Sequence, residues 1–80
     1  MRENKYITTK KLAELANENY GTIDYWTKMD ILPVSYKKGR TRYYDKEISL
    51  AIIKRIRELQ NEDFPIKLIR KKIQEEFKQE

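Results

Sequence analysis

Neither cysteine nor histidine occurs in this chain, so no disulfide and no thiolate or imidazole zinc site can supplement its packing. Apolar burial must hold the fold by itself. The 80 residues leave little of it, since a domain of this size buries only about 60% of the surface its unfolded chain exposes. One domain with a thin core is therefore expected over residues 1–80, and the spacing of the apolar residues becomes the main guide to its elements.

That spacing is helical for most of the chain. Residues 1–6 are polar and read as loose. Thr8 or Thr9 can cap a short helix carrying Leu12, Ala13, Leu15 and Ala16, because a threonine oxygen can accept an otherwise orphaned N–H of the first turn. Asn17-Glu18-Asn19 reads as a turn, with Asn19 placed to cap a second helix over about Tyr20–Met29. Ile23 and Trp26 would face inward there, with Met29 or Ile31 closing the face, and Pro33 ends the segment. Further on, Asp45 can cap a helix with Ile48, Ile52, Ile53, Ile56 and Leu59 at intervals of three and four, ending near Asn61. Phe64-Pro65 opens a last helix, with proline tolerated in its first turn and Ile66, Ile69, Ile73 and Phe77 as its stripe.

Between the second and third helices the character changes. Ser35–Tyr44 holds Lys37, Lys38, Arg40 and Arg42 with no acid, Gly39 in the middle, and Tyr36, Tyr43 and Tyr44 at its flanks. Aromatic residues around a Lys-Gly turn suggest a small β-hairpin. On a strand, Arg40 and Arg42 would share one face across Thr41. The expected fold is mainly α: helix, turn, helix, basic β-hairpin, then a helix pair, which is a winged helix-turn-helix.

Charge narrows the partner. Lys and Arg number 18 against 13 acids, a net charge of +5, which suits a polyanion, either nucleic acid or an anionic membrane surface. A solvated lysine-rich domain without such a ligand is the plain alternative. No run approaches the ~20 apolar residues of a membrane span, and Met1-Arg2-Glu3-Asn4-Lys5 lacks the apolar stretch of a signal peptide. A cytoplasmic, nucleoid-associated location without membrane contact is expected. Nothing suggests an enzyme, a metal or a cofactor: there is no Gly-rich phosphate loop and no nucleophile–base pair.

Four cations on one short loop repel one another, and phosphates along a groove would relieve this while releasing counterions. A solvated hairpin tip, where lysines protect exposed strand edges, is the alternative. In a helix-turn-helix the second helix enters the major groove, led by its N-terminal residues. Those are Asn19, Tyr20, Gly21 and Asp24, with Tyr25 and Lys28 a turn later. Gly21 would let the backbone approach DNA closely, or is merely a small residue in an exposed first turn. Tyr20 and Tyr25 could reach phosphate or sugar, Lys28 a phosphate or solvent, whereas Trp26 reads as core.

At this point the chain resembles the MerR family of bacterial transcription regulators. The resemblance rests on Tyr6-Ile7-Thr8 through Leu12-Ala13, Thr22-Ile23-Asp24-Tyr25-Trp26, and Ile31-Leu32-Pro33. These are similar to the family's aromatic-Ile-Gly start, Leu-Ala, Thr-Leu-Arg-Tyr-Tyr and Gly-Leu-Leu. Arg42-Tyr43-Tyr44-Asp45 resembles its Arg-x-Tyr-Ser/Asp, and Phe64-Pro65-Ile66 through Ile69 its Gly-Phe-Ser-Leu-x-x-Ile. The likeness spans about Tyr6 to Ile73. It implies that the closing helix pair acts as a second wing, that the helix at 20–28 enters the major groove, and that Tyr25, Arg42 and Tyr44 touch the backbone. It also implies that Ile23, Ile48, Ile52 and Ile69 are core.

The chain departs from the family at Asp24, where arginine is usual. A carboxylate repels phosphate and cannot make the backbone contact of that arginine. Asp24 could instead accept from cytosine N4, pair with Lys28 at i,i+4, or face solvent. Asn17 replaces the usual turn glycine, and asparagine tolerates the left-handed region. The family's long dimerising helix and effector domain are absent from residues 1–80, whose last seven, Gln74–Glu80, hold three acids and one lysine. The expected function is sequence-specific binding of double-stranded DNA by a MerR-like regulator, as a homodimer on DNA or within a longer protein. An architectural or plasmid or chromosome segregation factor resembling the excisionases is the alternative. A protein-interaction module docking a partner through the C-terminal helix, Ile66–Phe77, is the alternative of another class.

Overall fold

The computed structural model describes residues 5–78. Thr8 turns the chain from a short strand, β1 (Tyr6–Thr8), into α1 (Thr9–Ala16). Its Oγ1 accepts the Lys11 N–H at 3.2 Å, satisfying one orphan donor of the first turn. α1 ends at Asn17, whose φ of 57° and ψ of 47° place it in the left-handed region. Asparagine adopts that conformation more readily than most residues, so the turn survives without glycine. α2 (Tyr20–Lys28) follows. Asn19 occupies its cap position, although its side chain makes no cap hydrogen bond.

β2 (Tyr36–Lys38) and β3 (Thr41–Asp45) form the hairpin. Lys38 pairs with Thr41, which leaves Gly39 and Arg40 as a two-residue turn. Gly39 has φ 62°, a value glycine takes without a Cβ penalty. Arg40 therefore sits in the turn and not on a strand, so the expected alternation with Arg42 does not apply. The partner of Arg42 across the ladder is Lys37.

The first six residues are only partly as expected. Residues 1–4 lie outside the described residues, but Tyr6 begins β1, which pairs antiparallel with β3 through Tyr6–Asp45, Ile7–Tyr44 and Thr8–Tyr43. The wing is thus a three-stranded sheet in the order β1-β3-β2. Its two faces differ. Ile7 and Tyr44 are buried against the helices. The other face carries Tyr6, Tyr36 and Tyr43: Tyr36 stacks on Tyr43 at 4.8 Å between centroids, and Tyr6 meets Tyr36 edge-on at 5.5 Å.

Asp45 caps α3 (Lys46–Asn61) by accepting the Ile48 N–H at 2.9 Å. The isoleucine stripe then supplies the centre of the core, with Ile52, Ile53, Ile56 and Leu59 fully covered alongside Leu12, Ile23, Leu32 and Ile69. Ile48, Ile66, Met29 and Phe77 pack on its margin half-buried. Leu15 faces outward, 45% exposed. Pro65 stands at the cap position, one residue before α4 (Ile66–Glu76).

Two arginines of α3 tie the helices together. The Arg57 guanidinium bonds Glu18 at 2.7 Å and the Ala16 carbonyl, one of the acceptors that the end of α1 leaves free. Arg55 clasps Glu76 of α4 with two hydrogen bonds, of 2.8 and 3.1 Å, and also reaches Glu58. The Arg55 bond lowers the pKa of Glu76 below the usual carboxylate value. From α4, Gln74 donates to the Asp30 carbonyl at 3.1 Å, which fixes the loop after α2.

Candidate nucleic-acid interface

Helical periodicity sorts α2 into faces. Ile23 and Trp26 point into the core, 0% and 3% exposed. Tyr20, Asp24 and Lys28 recur every fourth residue and form one stripe. Tyr20 and Asp24 line an open cleft of about 370 Å³, whose opposite wall is the wing with Lys37, Arg40 and Arg42. Gly21 and Tyr25 lie on an adjoining exposed stripe. A Cβ built on Gly21 would meet nothing within 4 Å, so no packing inside the chain requires glycine there.

Two bonds fix the wing against α2. Thr27 Oγ1 donates to the Ile23 carbonyl at 2.8 Å and lies 2.8 Å from the Tyr44 hydroxyl. A threonine hydroxyl has one proton, so the Tyr44 O–H is the donor to Thr27. The second bond is ionic. Arg42 Nη1 donates to Asp24 Oδ1 at 2.7 Å, and Lys28 Nζ lies 2.9 Å from Asp24 Oδ2. The Arg42 hydrogen bond, followed by that of Lys28, holds the Asp24 carboxyl below its ordinary pKa, and the same Asp24 bond raises that of Arg42.

These contacts revise the roles expected for two residues. The resemblance implies a DNA-backbone role for Tyr44, yet this residue is 0% exposed, and a fully covered phenol touches nothing outside the chain in this conformation. Its hydroxyl joins β3 to α2 instead. Arg42 is not the free wing cation that the composition of the loop suggests: Asp24 holds it, with its side chain 25% exposed. The expected Asp24–Lys28 pair is present, and Arg42 completes it into a triad.

The remaining candidates stay open to solvent. Asn19, Tyr20, Gly21, Tyr25 and Lys28 lie along α2 with Tyr20 and Tyr25 exposed, and Lys37, Lys38 and Arg40 are exposed on the wing. Among the described residues these last three cations have no acidic partner. Lys37 and Arg40 line the cleft, where a concave wall concentrates the field, whereas Lys38 alternates to the sheet face of Tyr36 and Tyr43. The first turn of α1 adds Thr9 and Lys10 to the same cleft. Sequence reasoning passed over Lys10, although the first helix of a helix-turn-helix crosses the DNA backbone and a lysine in its first turn is a natural phosphate contact.

Among the described residues no three or more histidine, cysteine, aspartate or glutamate side chains cluster as metal ligands, and no helix is long and apolar enough to cross a membrane. A protein-family model described as MerR HTH family regulatory protein matches residues 7–76. Comparisons with curated proteins and with solved structures return no match. The family match runs from β1 to the last residue of α4 and so takes in every element that builds the cleft. The chain belongs to the MerR helix-turn-helix family of regulatory proteins, a family of DNA-binding transcription regulators rather than enzymes.

Proposed function

We propose that this chain binds double-stranded DNA sequence-specifically, with α2 in the major groove and the wing on the flanking phosphates. The observation that carries the reading is the pairing of an exposed helix face with uncompensated cations across one cleft. Tyr20 is exposed on α2, with Gly21 and Tyr25 on the adjoining exposed stripe, and Lys37 and Arg40 face Tyr20 across the cleft without acidic partners among the described residues. Sizes agree: a helix with side chains is about 10–12 Å across, and the major groove is about 12 Å wide. In this reading Asn19, Tyr20, Gly21 and Tyr25 meet base edges and sugars. Lys10, Lys28, Lys37, Lys38 and Arg40 meet phosphates.

The family relationship supports a regulatory role at a promoter. A homodimer would place two α2 helices on half-sites about 34 Å apart, one turn of the duplex. A regulator of this kind acts where the chromosome is, in the cytoplasm at the nucleoid.

The test is a salt series on a labelled duplex, read by anisotropy. Removing one phosphate contact lowers the slope of log affinity against log salt by about 0.9. The Lys37→Ala/Lys38→Ala/Arg40→Ala variant should therefore flatten the slope by about 2–3 and weaken binding to all sequences alike. An unchanged slope removes the wing from the interface. Genomic pull-down with sequencing then separates the biological roles: one palindrome beside a promoter supports regulation, and clustered repeats favour an architectural or segregation complex.

A further inference from the structure

Among the described residues Asp24 is the only acid lining the cleft, and the family relationship offers no reason for a carboxylate on that stripe of the recognition helix. Both its oxygens are engaged, Oδ1 by Arg42 of the wing at 2.7 Å and Oδ2 by Lys28 of its own helix at 2.9 Å. Its side chain is only 28% exposed, and Arg42 is covered to a similar extent, whereas Lys28 is 68% exposed. Two cations and one carboxylate thus present a local charge of +1 where +2 would otherwise stand. Charge-assisted hydrogen bonds of this length are the strong ones, and a phosphate reaching for Arg42 must either break this bond or accept the guanidinium in the orientation Asp24 gives it.

We propose that Asp24 is a specificity-determining residue, which fixes the Arg42 guanidinium in one orientation across the cleft and withholds positive charge from duplex that does not fit it. The inference rests on the DNA-binding reading above. On DNA of arbitrary sequence the protein is held by phosphates in no fixed geometry, and there the carboxylate is one more negative charge among cations. In the seated complex Arg42 is already ordered. Its remaining N–H donors meet one phosphate or base edge without the further ordering that immobilising a long side chain normally requires. The carboxylate's low pKa keeps it charged at neutral pH. The same substitution should therefore act in opposite senses on the two kinds of DNA.

Asp24→Asn preserves shape and removes the charge. Thr27–Tyr44 and the buried Ile23 and Trp26 still hold α2 in place, and a thermal melt checks that the variant is folded. Two probes are needed: a mixed-sequence duplex, and a duplex enriched from a random library by the wild-type protein. On the mixed duplex, Asp24→Asn should bind roughly five-fold more tightly at about 0.15 M salt, with a slope steeper by about 0.9. On the enriched duplex it should gain nothing or lose affinity, so the ratio between the two falls at least about five-fold. Arg42→Gln should lower that ratio too, and adding Asp24→Asn to it should lower the ratio no further. Equal gains on both probes would make Asp24 a mere charge and overturn the inference, as would equal losses or no change on either. A wild-type protein that enriches no duplex overturns the DNA reading itself, and this inference with it.

Discussion

The hydrogen bond between Tyr44 and Thr27 offers the sharpest check on how the wing is held, because its two partners are not equivalent. Thr27 spends its single proton on the Ile23 carbonyl, so the buried Tyr44 hydroxyl donates to Thr27. Tyr44→Phe removes that donor and leaves Thr27 still bonded to Ile23. The loss should be that of one ordinary hydrogen bond, about 1 kcal/mol. For a domain of this size that lowers Tm by about 4–8 °C. Thr27→Val removes the acceptor instead and strands the Tyr44 O–H in a site that is 0% exposed. An unsatisfied buried donor costs about 1–3 kcal/mol, so this variant should melt lower than Tyr44→Phe although the change of shape is as small. The double variant leaves no orphan and should sit close to Tyr44→Phe alone, a coupling that only groups in contact display. Circular dichroism melts and urea titration of the three variants measure it. Additive losses, or a Thr27→Val variant more stable than Tyr44→Phe, would refute both the bond and its direction.

Other perturbations read other parts of the structure. Gly21→Ala should stabilise the fold by at most about 0.5–1 kcal/mol, the figure for a mid-helix glycine, and raise Tm accordingly, since a methyl there meets nothing within 4 Å; it should weaken DNA binding if the backbone of α2 approaches the bases, and undiminished affinity would place Gly21 away from the duplex. Asn17→Gly should leave stability intact at φ 57°, while Asn17→Val should cost about 1–2 kcal/mol, both read by urea midpoint. Ile56→Ala, at a fully covered site, should cost about 2–5 kcal/mol, a large share of the whole for so small a domain. Acid should loosen α4: Arg55 lowers the folded-state pKa of Glu76, so that contribution is complete above the unfolded value of about 4.3 and fades as pH falls through the lowered one. Arg55→Gln should abolish that part of the acid dependence, measured as urea midpoint against pH.

The helices were legible in the sequence because their signals are local. Threonine and aspartate caps at Thr8 and Asp45, a left-handed asparagine at Asn17 and the isoleucine stripe of α3 each depend on residues within a turn or two. β1 was not legible for the opposite reason. Tyr6–Thr8 is too short to show a period of two, and it is a strand only because residues 43–45 come alongside it. The wing posed a subtler problem. Both of its faces carry tyrosines and cations, with Tyr36 and Tyr43 on one and Arg42 and Tyr44 on the other. Composition could not say which face turns inward, and in a strand one residue of register reverses the answer. Pairing with Ile7 decides it: Tyr44 opposite Ile7 joins the core, and Arg42, two residues back, is carried to the wall facing α2.

The Asp24–Arg42 contact joins positions 18 residues apart, so no local pattern announces it, yet under the proposed DNA-binding reading it would divide labour between the helix and the wing. Asp24 offsets one charge of Lys28 and Arg42 and leaves a net +1 among the three, while the start of α2 presents uncharged groups: Asn19, Tyr20, Gly21 and Tyr25. Among the described residues Lys37, Lys38 and Arg40 on the wing and Lys10 at the start of α1 carry positive charge with no acidic partner. Contacts to phosphate position a protein without reading sequence, whereas contacts to base edges specify. If the two tasks are separated in this way, substitutions should separate too. Tyr20→Ala should reduce discrimination more than it reduces binding to arbitrary duplex, with the salt slope preserved. The wing variants should do the reverse. An equal loss on both kinds of DNA for Tyr20→Ala would mean that the tyrosine touches only backbone, and that the reading of bases must reside in the remaining uncharged groups of α2.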